Sequence, residues 1–241
     1  MLAAARLSQG EHVLDVGSGD GDMALLAKEA VGAPGFVLAT DVDSARMARL
    51  AACLQTSPHS KGIALMESAA EHLSLEPGSF DAAMARNCLM YFQDLPTALG
   101  RIRSALRTGG RFVASIYGPL AREPFHAIPI AAVARRHPMP EQAPEYVQAF
   151  RLGVDATQRA LADAGFAGIR SQIVATARTY PSHATALELL RASRSLNELL
   201  SVLPASERAD AWKEIAEGFR AYEAGGAVKL PGEQVVISGV A

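Results

Sequence analysis

The chain has 241 residues, 49% of them hydrophobic and 20% charged, and a formal charge of −2. That length buries one sizeable core with an appended subdomain. The near balance of 23 basic and 25 acidic side chains argues against a nucleic-acid clamp. No apolar run nears the roughly 18 residues of a membrane span, and residues 1–6 are too short for a secretory signal, so a cytoplasmic protein is expected. Nineteen of the 23 basic residues are Arg, which suits a GC-rich bacterial genome. Cys53 and Cys88 have no CxxC spacing and are expected as buried thiols. No HxxxH, HxH or Cys/His/Asp grouping points to a metal, and no GxSxG setting points to a hydrolase.

In chain order, short apolar runs alternate with helical periodicity, the pattern of a parallel α/β sheet. The run 12–16 reads as a buried strand, a turn with Gly17, Gly19 and Gly21 follows, and a helix is expected over 23–31. Strands are expected at 35–40, 63–66, 79–85 and 111–117, with helices through Leu54 and over 96–106. Prolines 119, 124, 129, 138, 140 and 144 break residues 119–150 into turns and short helices. A helix over 155–164 and a strand over 169–180 resume the rhythm. Two amphipathic helices, 184–202 and 205–223, then precede a last strand at 234–240. Trp212, Ile215, Phe219 and Tyr222 form one stripe of the second helix, which reads more readily as core than as the lining of a substrate tunnel or a dimer contact.

The segment Val13-Leu14-Asp15-Val16-Gly17-Ser18-Gly19-Asp20-Gly21-Asp22 carries the chemistry. A glycine turn between a strand and a helix lets backbone approach a ligand and aims a helix N-terminus at it. The dinucleotide pattern GxGxxG requires glycine at position 22, where Asp22 stands and would repel a pyrophosphate. A cationic ligand is compatible with that carboxylate. Asp41, ending the second strand, can accept both hydroxyls of a ribose while Val42 packs on an adenine face. The plainer alternative is that Asp41 and Asp43 only cap the next helix.

With Ala69-Ala70-Glu71-His72-Leu73 and the run from Ser79 to Asn87, these elements resemble class I S-adenosylmethionine methyltransferases, closest to the ubiquinone/menaquinone-biosynthesis group. The resemblance covers roughly residues 11–118. It implies a Rossmann-like α/β fold, with a seven-stranded, mostly parallel sheet whose last strand is antiparallel, flanked by helices and bearing a helical cap. It also implies S-adenosylmethionine as cofactor, with S-adenosylhomocysteine as product. Asp15 and the loop Gly17, Ser18, Gly19 and Asp20 would hold its methionine end, and Asp41 and Val42 its ribose and adenine. Ala69 and Ala70 would meet the adenine through the backbone, and Arg86 and Asn87 would touch the methionine moiety. Ala69 departs from the Asp or Asn usual at that place, which removes a side-chain bond to the adenine amine.

The resemblance places the acceptor over the C-terminal strand ends, where Met90, Tyr91, Tyr117 and Phe125 are the substrate candidates and His126 the candidate general base. His137 and His183 are weaker candidates, while His12, His59 and His72 read as surface or capping residues. Arg135-Arg136 suits either an anionic substrate or a solvated pair. A single domain over 1–241 is expected: a cofactor core of 11–118, 151–181 and 234–241, with cap insertions 119–150 and 182–233. The expected partner is a small-molecule methyl acceptor, quinone-like, phenolic or of natural-product type, with no nucleic acid and with a homodimer as an option. Two rivals are a non-methylating or pericyclase-like protein that binds S-adenosylmethionine, and an NAD-dependent oxidoreductase.

Overall fold

The computed structural model describes residues 1–56, 61–138 and 144–241, so His59 and Pro140 lie outside the described residues. The first half runs α1 (Leu2–Ala5), β1 (His12–Val16), α2 (Asp22–Val31), β2 (Phe36–Asp41), α3 (Ser44–Thr56), β3 (Ile63–Glu67), β4 (Phe80–Arg86), α4 (Leu95–Ala105) and β5 (Leu106–Tyr117). The second half runs α5 (Pro124–Ala134), α6 (Glu145–Gln148), α7 (Val154–Asp163), β6 (Ala167–Tyr180), α8 (His183–Ala192), α9 (Arg194–Ser201), α10 (Ala205–Arg220), β7 (Glu223–Ala224) and β8 (Ala227–Val240). The strands form one sheet in the order β3-β2-β1-β4-β5-β8-β6, with β7 beside β8. Strands β1 to β5 are parallel and the C-terminal strands antiparallel, the expected Rossmann-like α/β architecture. No helix among the described residues is long and apolar enough to cross a membrane.

The chain divides into two compact units: residues 1–116, 154–172 and 235–241, and residues 117–153 and 173–234. In the first, β1 is central because Val13, Leu14 and Val16 are apolar on both faces, as a parallel strand under two helical layers requires. Val13 is in register with Val37 on one side and Ala82 on the other. Val13, Val37, Val113 and Leu50 lie in one fully buried cluster with Met84.

The second unit has its own core, with Leu190, Leu196, Leu199, Ile215, Phe219 and Leu230 wholly buried. Ile215 and Phe219 put the aromatic stripe of α10 in that core, with Trp212 and Tyr222 packed partly against it. Arg135 and Arg136 both pair with Glu214.

Four boundaries differ from the sequence reading. The expected helix 184–202 is two helices, because Ser193 leaves helical geometry and its hydroxyl accepts the Leu196 N–H at 3.3 Å. The helix expected to reach 223 ends at Arg220. Gly225 and Gly226, both left-handed (φ 61 and 82), then turn β7 into β8, so the last strand begins at Ala227 rather than 234. Strand β5 begins at Leu106, because the Gly109 N–H and Gly110 carbonyl bond to Ala241. Segment 119–150 is less broken than its prolines suggest. Pro129 sits inside α5 and cannot bond the Phe125 carbonyl, and the Tyr146 hydroxyl donates to that carbonyl at 2.9 Å instead.

Candidate functional site

Past Val16 the backbone turns through Gly17, Gly19 and Gly21 with φ of 65, 57 and 90. A Cβ on Gly17 would stand 2.7 Å from Cys88 Cβ, and one on Gly21 would stand 2.2 Å from Leu50 Cδ1. Both positions therefore require glycine twice over, for conformation and for space. Asp41 fastens the loop: its Oδ2 accepts the Gly19 N–H at 2.7 Å and its Oδ1 accepts the Asp43 N–H at 2.9 Å. Asp43, by contrast, caps α3 by accepting the Ala45 and Arg46 N–H groups at 2.9 and 3.1 Å. The two carboxylates thus divide the work, and Asp41 belongs to the glycine loop. Ser18 is buried, its N–H donating to the Thr40 carbonyl at 2.9 Å.

The electrostatics single out Asp15. Asp20 pairs with Arg49 at 2.8 Å and Asp22 with Arg86 at 2.9 Å, so both loop carboxylates are neutralised locally. Asp15 is 1% exposed, and neither side-chain oxygen has a hydrogen-bond partner in acceptable geometry, although the Ala24 amide lies near enough to favour its charge slightly. Burial pushes its pKa up to about 7; Arg86 opposes that rise and Asp41 adds to it. A buried carboxyl without a partner is costly. What would satisfy Asp15 is a cation or N–H donor seated on the glycine loop, next to an Asp41 carboxylate with lone pairs to spare.

The remaining candidates of this unit follow in sequence order. Val42 is 71% exposed directly after β2, a large apolar side chain without cover. Ala69 and the buried Ala70 open a 3₁₀ turn tied to β2 by the Ser68 N–H, which donates to the Asp41 carbonyl at 3.0 Å. Arg86 ends β4 and is held by Asp22. Asn87 follows in the left-handed region at φ 52, its N–H donating to the Ser115 carbonyl at 2.9 Å. Met90 is buried and Tyr91 exposed in the turn Leu89–Tyr91. Cys88 is half-buried, donates to the Val16 carbonyl at 3.2 Å, and burial drives its thiol well above the ordinary range. Cys53 corrects the expectation of two buried thiols: it lies on the solvent side of α3 and is exposed.

Tyr117, Phe125 and His126 belong to the second unit. His126 is 6% exposed, and its ring is ringed by Tyr117, Phe125 and Tyr146 at centroid distances of 5.0 Å and by Phe150 at 5.1 Å. Its Nδ1 has no hydrogen-bond partner and stands 3.8 Å from Glu123 Oε2. Burial holds the imidazole below its usual range; Glu123 opposes this and Arg178 reinforces it. Glu123 escaped the sequence reading because a Glu before Pro124 looks like an exposed helix start. It is 3% exposed. His12 and His72 are exposed as expected, and His183 Nε2 contacts the Ala216 carbonyl at 2.7 Å. No group of three or more metal-ligating side chains occurs among the described residues.

Residues 14–114 match the family model described as a methyltransferase domain. Over 112 residues the chain is 28% identical to the demethylmenaquinone methyltransferase of Symbiobacterium thermophilum, covering 46% of this chain and 45% of that one. The chain thus spans under half the length of the curated relatives it matches. Among solved structures, the YcgJ protein of Bacillus subtilis aligns over 100% of this chain and 95% of its own, with a TM-score of 0.64 at 16% identity. The phosphoethanolamine N-methyltransferase 2 of Haemonchus contortus, solved with S-adenosylhomocysteine, aligns over 99% of this chain and 50% of its own, with a TM-score of 0.59 at 17% identity. Residues 14–114, which contain the strands, helices and glycine loop that carry Asp15 and Asp41, are the part of the chain that matches this methyltransferase domain.

Proposed function

We propose that the protein transfers a methyl group from S-adenosylmethionine to a small hydroxylated aromatic acceptor of the reduced-quinone type. The observation that carries this reading is the Asp15 carboxyl, buried with both oxygens unpartnered behind three left-handed glycines. The cofactor fits it. Asp15 and the loop of Gly17, Ser18 and Gly19 would hold the cationic methionine end, and Asp41 the ribose hydroxyls. The exposed face of Val42 and the backbone at Ala69 and Ala70 would hold the adenine. When bound, S-adenosylmethionine supplies a methyl group on a sulfonium sulfur that departs as a neutral thioether. The chain's own task is to orient the acceptor, exclude water and hold a proton. In this reading His126, neutral and buried among Tyr117, Phe125, Tyr146 and Phe150, takes the acceptor's proton. The demethylmenaquinone methyltransferase relative supports a quinone-like acceptor, and the aromatic surroundings of His126 suit a planar one.

Titration calorimetry with S-adenosylmethionine, S-adenosylhomocysteine and NAD tests the cofactor. The first two are expected to bind and NAD is not; tight NAD binding without S-adenosylmethionine binding overturns the reading. Asp41→Ala is expected to weaken S-adenosylmethionine binding at least about tenfold, roughly 1.4 kcal/mol. Transfer of labelled methyl to a dihydroxynaphthalene probe then separates a methyltransferase from a protein that only binds the cofactor.

A further inference from the structure

The second unit holds two titratable side chains where an apolar pair would pack at lower cost. Glu123 is 3% exposed at the start of α5, yet its side chain does not cap that helix. It reaches β8, where Oε1 accepts the Glu233 N–H at 2.6 Å. Gly232 makes the room: a Cβ there would stand 2.9 Å from Oε1 and 3.1 Å from Oε2. One oxygen is thereby pinned to backbone, and the other, Oε2, is left 3.8 Å from His126 Nδ1, one small side-chain rotation from a hydrogen bond. On its other sides the imidazole meets carbon, the rings of Tyr117, Phe125, Tyr146 and Phe150.

We propose that Glu123 is a positioning residue for His126: its carboxylate fixes the imidazole as the Nδ1–H tautomer, leaving the Nε2 lone pair to accept a proton from a hydroxylated acceptor. This rests on the function proposed above and extends it to the choice of acceptor atom, a hydroxyl that must lose its proton. In the proton transfer the acceptor's O–H bond breaks, its electron pair stays on oxygen, and an N–H bond forms at Nε2. The imidazolium so formed is buried, and the Glu123 carboxylate balances its charge. Among the described residues, the other charged or titratable groups facing His126 are Arg178 on β6, Tyr117 on β5 and Tyr146 on α6. Arg178 stacks on Phe125 at 4.5 Å from the ring centroid and disfavours the imidazolium, so Glu123 is the group that offsets it.

Nitrogen-15 spectra of the imidazole rings test the assignment directly, with the His126 signals identified by their loss in His126→Gln. The wild-type protein is expected to show His126 as the Nδ1–H tautomer. Glu123→Gln, which keeps the acceptor for the Glu233 N–H, is expected to shift the population toward Nε2–H and to lower the His126 titration midpoint. With the dihydroxynaphthalene probe, the same variant should cut kcat at least about tenfold and move the acid limb of kcat/KM to lower pH, while S-adenosylmethionine affinity stays within about twofold. A wild-type His126 found as Nε2–H overturns the proposal whether or not the variant folds, and so does an unchanged tautomer and titration in Glu123→Gln. If the protein fails to bind S-adenosylmethionine, the functional reading falls while the tautomer result still stands by itself.

Discussion

Asp15 behaves as two different groups depending on what sits on the glycine loop. In the free protein burial raises its pKa from 3.8 to about 7, so its charge opposes folding as the pH climbs through that interval. The sign follows from linkage: the unfolded chain gives up this proton at lower pH than the native one, so native stability falls between 3.8 and about 7 and levels off above. A bound cation reverses the balance by favouring the carboxylate. S-adenosylmethionine binding is therefore expected to release a proton below about pH 7 and to weaken as the pH falls. Calorimetry in buffers of different ionisation enthalpy measures that proton count. Asp15→Asn should abolish the release, weaken binding, and make the free protein more resistant to denaturant near pH 8. A wild-type protein with pH-independent affinity would remove Asp15 from the binding site.

At the scale of elements, the legible parts are those whose local signals agree. Strands β1, β2 and β4 are apolar runs bounded by glycine or aspartate, and the loop at 17–21 announces its conformation through its glycines. The first half of strand β8 is less legible, because Pro231 and Gly232 are residues that ordinarily break strands. Yet Val228, Leu230 and Gly232 alternate as buried positions with exposed Lys229 and Pro231, and the Gly225-Gly226 pair marked the hairpin. Asp41 is a candidate from its place at the end of the second strand, and Asp15 from the family resemblance. Glu123 could not be placed, since only tertiary burial separates a buried carboxylate from a surface one. Helix α5 shows the same dependence, because a proline at 129 survives only while Tyr146 supplies a donor to Phe125. Tyr146→Phe leaves that carbonyl unpaired and is expected to cost about 1–3 kcal/mol, measured by urea denaturation.

At the scale of the whole molecule, the two units carry separate buried clusters, one around Val13, Val37 and Leu50 and one around Leu196, Leu199 and Phe219. Leu199 is fully buried, so Leu199→Ala is expected to destabilise its own unit by about 2–5 kcal/mol. Hydrogen exchange should show amides of 183–220 opening more readily while those of β1, β2 and α2 keep their protection. S-adenosylmethionine affinity should change little. Equal loss of protection in both units would mean that they unfold as one.

The unequal cysteines make the molecule its own labelled reagent. Cys88 is hydrogen-bonded to Val16 and its thiol is held protonated by burial, whereas Cys53 faces solvent on α3, the helix that follows Asp41 and Asp43. A maleimide dye should therefore attach at Cys53 alone, without mutagenesis. It would place a fluorescent reporter on the helix whose Leu50 packs beneath the glycine loop.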